Sequence, residues 1–457
     1  MAMDLPPQSP VEKPALAGTR APALRFIFFT LLLDVMGFGL LIPVAPRLVE
    51  SLLHGGQGGT EAEAAPYVAA LQSTFYAMAF LFAPALGALS DRVGRRPVIL
   101  ISLLGSGLDY LAMALAPTLG WLFVTRVLNG LTGASFSAAS AYVADVTPPE
   151  KRAAGFGLIG AAFGLGFVIG PVIGGVLADE KTPLPFIGHG FLRLPFYVAC
   201  GMTLINWMYG LFVLPESLAK EHRSPFNIRR ANPIGAMYLI RKYPLVFGMA
   251  IALFLLYMAQ FALHATWALA LQYRFEWTPV TIGLSLAVVG LGAAVVQGGL
   301  ARKLIPALGE KRSLMFGLAI SVLAYIGYGA ATQGWMIFVI IALASIGAIS
   351  QPAAQSLITK EVSPKEQGAI QGALASLQSL AGIIGPMIGG WTLGYFIHEP
   401  RPFPNSPIPL EGANFYASAI ISTLGWIAAA WAVRHHGEVR AVDENSASES
   451  RSTNDQS

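Results

Sequence analysis

Twelve long apolar stretches, parted by short polar turns, constrain this chain more than any other feature. They fall at about 24–46, 67–89, 97–116, 119–142, 153–178, 194–214, 244–271, 279–300, 312–332, 334–358, 366–397 and 411–433. A helix needs about 20 mostly apolar residues to cross a bilayer, and lipid forces every backbone polar group to find its partner internally. An all-α integral membrane protein follows. Composition agrees: only 12% of residues are charged, against about 25% in a soluble domain. The single cysteine, Cys200, excludes an internal disulfide and a thiolate metal cluster. No basic-aromatic region is large enough to bind nucleic acid, and no metal or organic cofactor is implied.

Charge placement sets the topology. Gly87-Ala88-Leu89-Ser90-Asp91-Arg92-Val93-Gly94-Arg95-Arg96-Pro97 joins the second and third stretches. Its ionisable groups would each cost about 2.5–3.5 kcal/mol at the bilayer centre, so the turn lies at a membrane face. Of the 29 Lys and Arg residues, Arg47, Lys181, Arg193, Arg274 and Arg401 fall on the opposite face and Arg126 inside a span. All the others share the face of this turn, which the positive-inside tendency makes cytoplasmic, with both termini. Residues 1–23 and 434–457 are polar and read as disordered, and no cleaved signal peptide is apparent. Residues 215–243 form a basic linker between six-span halves at 24–214 and 244–433, and Asn227–Lys242 within it reads as a surface helix.

The halves repeat. Gly166, Gly170, Pro171, Gly174 and Gly175 of span five recur in span eleven as Ala381, Gly385, Pro386, Gly389 and Gly390. Small residues four apart let helices approach closely. Val146-Thr147-Pro148-Pro149-Glu150 recurs as Val362-Ser363-Pro364-Lys365-Glu366. Gly299–Arg312 is a degenerate copy of the charged turn, keeping Gly309, Lys311 and Arg312 without an acid to match Asp91. Two related bundles imply a site near the midplane, with each bundle rocking against the other.

Ionisable groups within spans mark that site, because lipid tolerates them poorly. They are Asp34 in span one, Asp109 in span three, Arg126 at the opening of span four and His264 in span seven. A buried carboxylate beside an arginine stays ionised, and one in an apolar pocket without that partner takes up a proton. A conformational change that alters the pairing therefore moves a proton. A static ion pair that holds helices together uses the same residues.

Gly-x-Leu-x-Asp-Arg-x-Gly-Arg-Arg-Pro resembles the loop between helices two and three of the major facilitator superfamily, in its drug:proton antiporter branch. The span-five glycines resemble the segment that marks the antiporters. Asp34-x-x-Gly37-x-Gly39-Leu40, Leu108-Asp109-Tyr110, Arg126 and Ala144-Asp145-Val146-Thr147 narrow the resemblance to the tetracycline-efflux subgroup, which is matched from about Leu24 to Trp431. The resemblance implies a twelve-helix fold of two pseudo-symmetric bundles and proton coupling through Asp34, Asp109 and Arg126. It further implies a gate built from Gly87, Asp91, Arg92, Gly94, Arg95, Arg96 and Asp145. There Asp145 pairs with Arg95, and Asp91 faces the start of helix eleven. The chain departs from the subgroup at Ala79, Ala293 and Ser321, where polar residues are expected.

For a substrate pocket, Tyr257, Gln260, His264 and Trp267 share one helical face of span seven. Gln351 pairs with Gln355 in span ten and Gln371 with Gln378 in span eleven, and Phe38 adds a ring from span one. Such stripes face a water-filled centre or bond helix to helix, and spacing does not choose between these. The reading is a monomeric, proton-coupled exporter of a small, moderately apolar compound in the inner (plasma) membrane. A proton-coupled metabolite symporter of the same fold is the alternative. An integral membrane enzyme is remote, since no H-E-x-x-H, G-x-S-x-G or phosphate loop occurs.

Overall fold

Caps and glycines decide where each apolar stretch stops being helix. The computed structural model describes residues 20–133, 135–147, 152–185, 187–223, 240–363, 366–404 and 406–454. Helix α1 (Arg20–Leu41) ends just before Pro43 and bends by 44° into α2 (Ala45–Leu52). Helix α3 (Glu61–Val93) starts at a capping box, Thr60 N donating to Glu63 Oε2 at 2.9 Å and Glu63 N to Thr60 Oγ1 at 3.3 Å. Gly94, at φ 114°, separates α3 from α4 (Arg95–Ala114), a backbone geometry that favours glycine. Thr118 caps α5 (Leu119–Thr132), Gly133 interrupts it, and α6 (Ser135–Val146) follows. Then come α7 (Arg152–Ala178), a hairpin of β1 (Pro183–Leu184) and β2 (Gly188–His189), and α8 (Leu194–Val213).

The second half runs α9 (Pro244–Phe275), α10 (Pro279–Val295), α11 (Ala301–Leu308), α12 (Glu310–Ala330), α13 (Gly334–Ala344), α14 (Ser350–Glu361), α15 (Gln367–Ile397) and α16 (Ala413–Asn454). A π-turn at Val296–Leu300 joins α10 to α11, and a 3-10 turn at Ser345–Ile349 joins α13 to α14. Among the described residues ten helical stretches are long and apolar enough to span alone, and the bent α1–α2 pair makes an eleventh. The twelfth expected span is α5 with α6, each too short alone because Gly133 divides them. Phe212, Ile205, Leu323 and Ile420, each more than three-fifths exposed, belong to the apolar belt that meets lipid.

Within the first half α1 packs on α7 and α8, α4 on α5 and α8, and α3 on α5; within the second, α9 packs on α15 and α16, and α12 on α14 and α16. An arginine caps the carbonyl end of the third span of each half. Arg193 donates to Ala114 and Ala116 O at 2.9 Å, and Arg274 donates to Tyr328 O at 2.8 Å and Gly329 O at 2.9 Å. Two seams join the halves, α3 with α15 and α7 with α10.

Three expectations change or fall outside the described residues. The tail after Val433, expected to be disordered, continues α16 to Asn454, with no proline to interrupt it. Residues 1–19 of the N-terminus and 224–239 of the linker, including most of the surface helix, lie outside the described residues, as do 148–151 and 364–365 of the repeated loops.

Candidate proton-coupling and substrate site

The repeated glycines work on two faces of each helix. A Cβ on Gly166 would lie 2.8 Å from Val35, and one on Gly170 2.7 Å from Met36 O, so this face seats α1 in the same half. Pro171 lies in that seam against Gly39. Gly174 meets Leu40 on α1, whereas Gly175, one residue on, meets the Pro279 backbone of α10 across the interface. In α15, Gly385 seats Met258 and Gly389 seats Ala262 of α9, and Gly390 meets Ala65 and Ala69 of α3 across the interface. Pro386 stays inside α15, as Pro171 stays inside α7.

Both seams close at one end only. From the midplane toward the end opposite the charged turn they run through Val168–Gly290, Pro171–Gly283 and Gly175–Pro279 on one side. On the other they run through Tyr76–Gly382, Ala69–Gly390 and Ala62–Gly394, with Ser73 Oγ donating to Ile383 O at 2.7 Å. Toward the charged-turn end, Gly87, Gly157, Gly160, Gly164, Gly298, Gly299 and Gly372 face open space. The ion pairs Arg95–Asp145, Lys242–Glu366 and Glu310–Lys360 there each stay within one half. The chain is therefore open at its basic end and shut at the other.

At the inner end of that opening three charged candidates gather around one buried ring. Tyr110 of α4 packs on Gly37 of α1, where an added Cβ would lie 3.0 Å from its hydroxyl. Asp34, Asp109 and Arg126 all lie within electrostatic range of Tyr110. Asp109, 4% exposed, accepts from Arg126 Nη2 and from Asn129 Nδ2 at 2.7 Å. Arg126 also reaches Met113 Sδ at 2.7 Å, while its buried Nε has no hydrogen-bond partner among the described residues. It lies two turns inside α5 rather than at the start of the span, because Thr118 begins that helix. Tyr110 and Asn129 carry no charge, so only their position reveals them.

The gate residues divide by partner. Arg95 forms an ion pair with Asp91 at 2.6 Å and with Asp145 at 3.2 Å, and its Nη1 donates to Ser90 Oγ at 3.2 Å. The ion partner of Asp91 among the described residues is Arg95. Arg96 donates to Leu211 O at 2.7 Å; Arg92 is exposed, and an added Cβ on Gly87 would meet nothing. Glu216, unnoticed in the sequence, sits on the N-terminus of α4 and accepts from Arg95 N at 2.8 Å and Arg96 N at 3.3 Å. In the second half Glu310 takes the place of Arg95 and pairs with Lys360 at 2.7 Å, also accepting from Ser356. The offset that carries Gly166 to Ala381 carries Arg95 to Glu310 and Asp145 to Lys360. The bridge repeats with its charges exchanged.

Pocket candidates separate as well. Phe38 is 42% exposed, with its ring 6.2 Å from Phe167. Gln260, Gln351, Gln355 and Gln378 are exposed, and Tyr257, His264 and Gln371 half-buried. Tyr257 and Gln351 lie within reach of each other. Trp267 is a correction: at 2% exposure it donates to Ser285 Oγ at 3.1 Å and packs on Tyr328 and Phe415 inside the second half. It keeps the shared helical face, but Tyr328 and Phe415 cover it there. Of the departures, Ser321 donates to Gly317 O at 3.1 Å and abuts Gly347, and Ala79 lies where Gly130 of α5 crosses α3. Ala293 is half-buried in α10.

Two helical halves around a one-sided opening, with acids and an arginine buried at its inner end, define a membrane transporter of the alternating-access kind. Residues 27–386 and 252–453 match the Major Facilitator Superfamily. The tetracycline resistance protein, class C, of Escherichia coli is 38% identical over 366 residues, 80% of this chain and 88% of that one. The class G protein of Vibrio anguillarum is 36% identical over 367 residues, 79% and 88% of the two chains. The human organic anion transporter MFSD10 (TETRAN) superposes with a TM-score of 0.65 at 25% identity, covering 90% of this chain and 99% of that one. A bacterial homolog of the human lysosomal transporter Spinster shares the fold, with a TM-score of 0.73 at 16% identity over 92% and 98% of the chains. The chain belongs to the major facilitator superfamily, among the relatives of the tetracycline resistance proteins. These are transporters, not enzymes.

Proposed function

We propose that the chain exports a small, moderately apolar organic compound across the inner (plasma) membrane in exchange for protons. It works as a monomer, with its basic end and both termini in the cytoplasm. The observation that carries this reading is Asp109, buried against Arg126 and Asn129 beside Tyr110 and Asp34, under a seam shut on one side only. Open to the cytoplasm, the chain takes substrate against Phe38, Tyr257, Gln260 and Gln351. Asp109 gives up its proton to that side, and Arg126 holds the resulting carboxylate. Rocking then opens the outer side, where a new proton on Asp109 or Asp34 frees Arg126 and substrate leaves. Arg95, Asp91 and Asp145, bonded to one another within the first half while that side is open, exchange partners to latch the cytoplasmic side during that half of the cycle.

Relatives bear the name of tetracycline resistance, but Ala79, Ala293 and Ser321 leave apolar or self-bonded groups where their subgroup is expected to place polar ones. The substrate is accordingly a ring-bearing compound recognised by aromatic and amide groups, with tetracycline itself disfavoured. Substrate added to energised everted vesicles should release protons from the lumen, and a pump-deleted host expressing the chain should survive the matching drug. Proton uptake into the lumen with substrate would favour the symporter, and no flux would sink both.

A further inference from the structure

At the shut end, one side chain of the second half holds three of the first. Gln272, in the last turn of α9, accepts from Arg47 Nε at 3.0 Å through its amide oxygen. Its amide nitrogen donates to both oxygens of Glu50, at 3.3 and 3.2 Å, and to Glu61 Oε1 at 2.9 Å. Arg47 Nη2 also reaches Trp277 O at 3.5 Å. Arg47 and Glu50 come from α2 and Glu61 from the first turn of α3, so every one of these bonds crosses between halves. All four side chains are half-buried.

The charge balance of this group is unusual. Two carboxyl groups converge on a single amide nitrogen, so their oxygens are neighbours. Arg47 supplies one positive charge against two negative ones, and α9 answers with an uncharged amide. The next ionic pair, His54 Nε2 to Glu63 Oε1 at 3.5 Å, lies in the turn between α2 and α3 and satisfies itself. Two ionised carboxylates at this range repel, and one shared proton relieves the repulsion while leaving Gln272 a full set of acceptors. Without that proton, separating the halves is the other way to relieve it.

We propose that Arg47, Glu50, Glu61 and Gln272 form the outer latch of the transport cycle, closing when the Glu50–Glu61 pair takes up one proton. The proposal rests on the exporter reading only for which side is outside. The proton taken up by this pair is distinct from the one carried by Asp34 or Asp109, so the latch keeps its own pH response when those aspartates are neutral. An acidic exterior would then favour the shut form, turning a proton-loaded carrier inward.

The test is a distance measurement across the shut end. Spin labels are placed at Glu180→Cys and Thr332→Cys, both exposed positions outside the latch, in the full chain carrying Cys200→Ser and held in lipid nanodiscs. At pH 5 the short distance should dominate, and at pH 9 a longer one should gain population. Glu50→Gln with Glu61→Gln should keep the short distance at both pH values, and Gln272→Glu should give the long one at pH 9. The pH response should persist in Asp34→Asn with Asp109→Asn. A double glutamine variant that responds like its parent would overturn the proposal, as would loss of the response in the aspartate variant with both glutamates intact. Failure of proton-driven export would leave these distances unaffected, so the two readings fail separately.

Discussion

Gly175 of α7 and Gly390 of α15 are the same residue twice, each seating the backbone of the opposite half one position beyond the glycines that seat its own half. Both lie in the shut part of the seam. A Cβ at Gly390 would fall 2.7 Å from Ala65 O, and backbone cannot swing aside as a side chain can. Gly390→Val should weaken the shut state by about 1–3 kcal/mol, the usual cost of overpacking. Labelling of a cysteine placed in the outer half of the seam should rise accordingly, while Gly372→Val, in open space, should leave labelling unchanged.

The exchanged bridges make a second prediction. If Arg95–Asp145 and Glu310–Lys360 matter as pairs, Glu310→Lys alone should impair transport by setting two cations together. Combining it with Lys360→Glu should restore most of the activity. Transport assays on the two single variants and the double one read the coupling directly. Additive losses would mean the bridge is incidental.

Glu216 predicts a local effect. Its carboxylate takes the two leading amides of α4, and an N-terminal cap is worth about 0.5–2 kcal/mol. Glu216→Ala should speed hydrogen exchange in the first turn of α4 and lower the melting temperature slightly. Glu216→Gln, which keeps an acceptor, should do less.

An acid-side dependence follows at the start of the second half. Bonds from Lys242 at 2.8 Å, from Tyr243 and from Ser363 at 3.0 Å hold the Glu366 carboxyl down at about 2, below its ordinary 4.5. A lowered value means the folded form prefers the ionised group. This support is therefore whole above the ordinary carboxyl range and is lost as pH falls from about 4.5 toward 2. Hydrogen exchange at the start of α9 should quicken over that window, and Glu366→Gln should remove the step.

Much of this was legible in the sequence because lipid restricts the choices. Apolar length gave the spans, and the repeated glycines gave the halves and their close approach. Asp34, Asp109 and Arg126 stood out because charge is costly in hydrocarbon. Position within the fold was harder to read. Trp267 shares helical spacing with Tyr257 but not its surroundings, and span seven is polar on too few sides for spacing alone to tell. Tyr110, Asn129 and Gln272 are uncharged, and Glu216 and Glu310 sit in charged loops where acids are ordinary. Their roles come from partners distant in the chain, which no local pattern encodes.

The central claim is that Asp109 couples protons to movement, releasing and recapturing Arg126 as it ionises. Proteoliposomes loaded with unlabelled substrate separate the two duties, by comparing counterflow of labelled substrate with accumulation driven by an imposed proton gradient. For Asp109→Asn, gradient-driven accumulation should fall at least tenfold, about 1.4 kcal/mol, while counterflow survives. Accumulation at the parent rate would contradict the account.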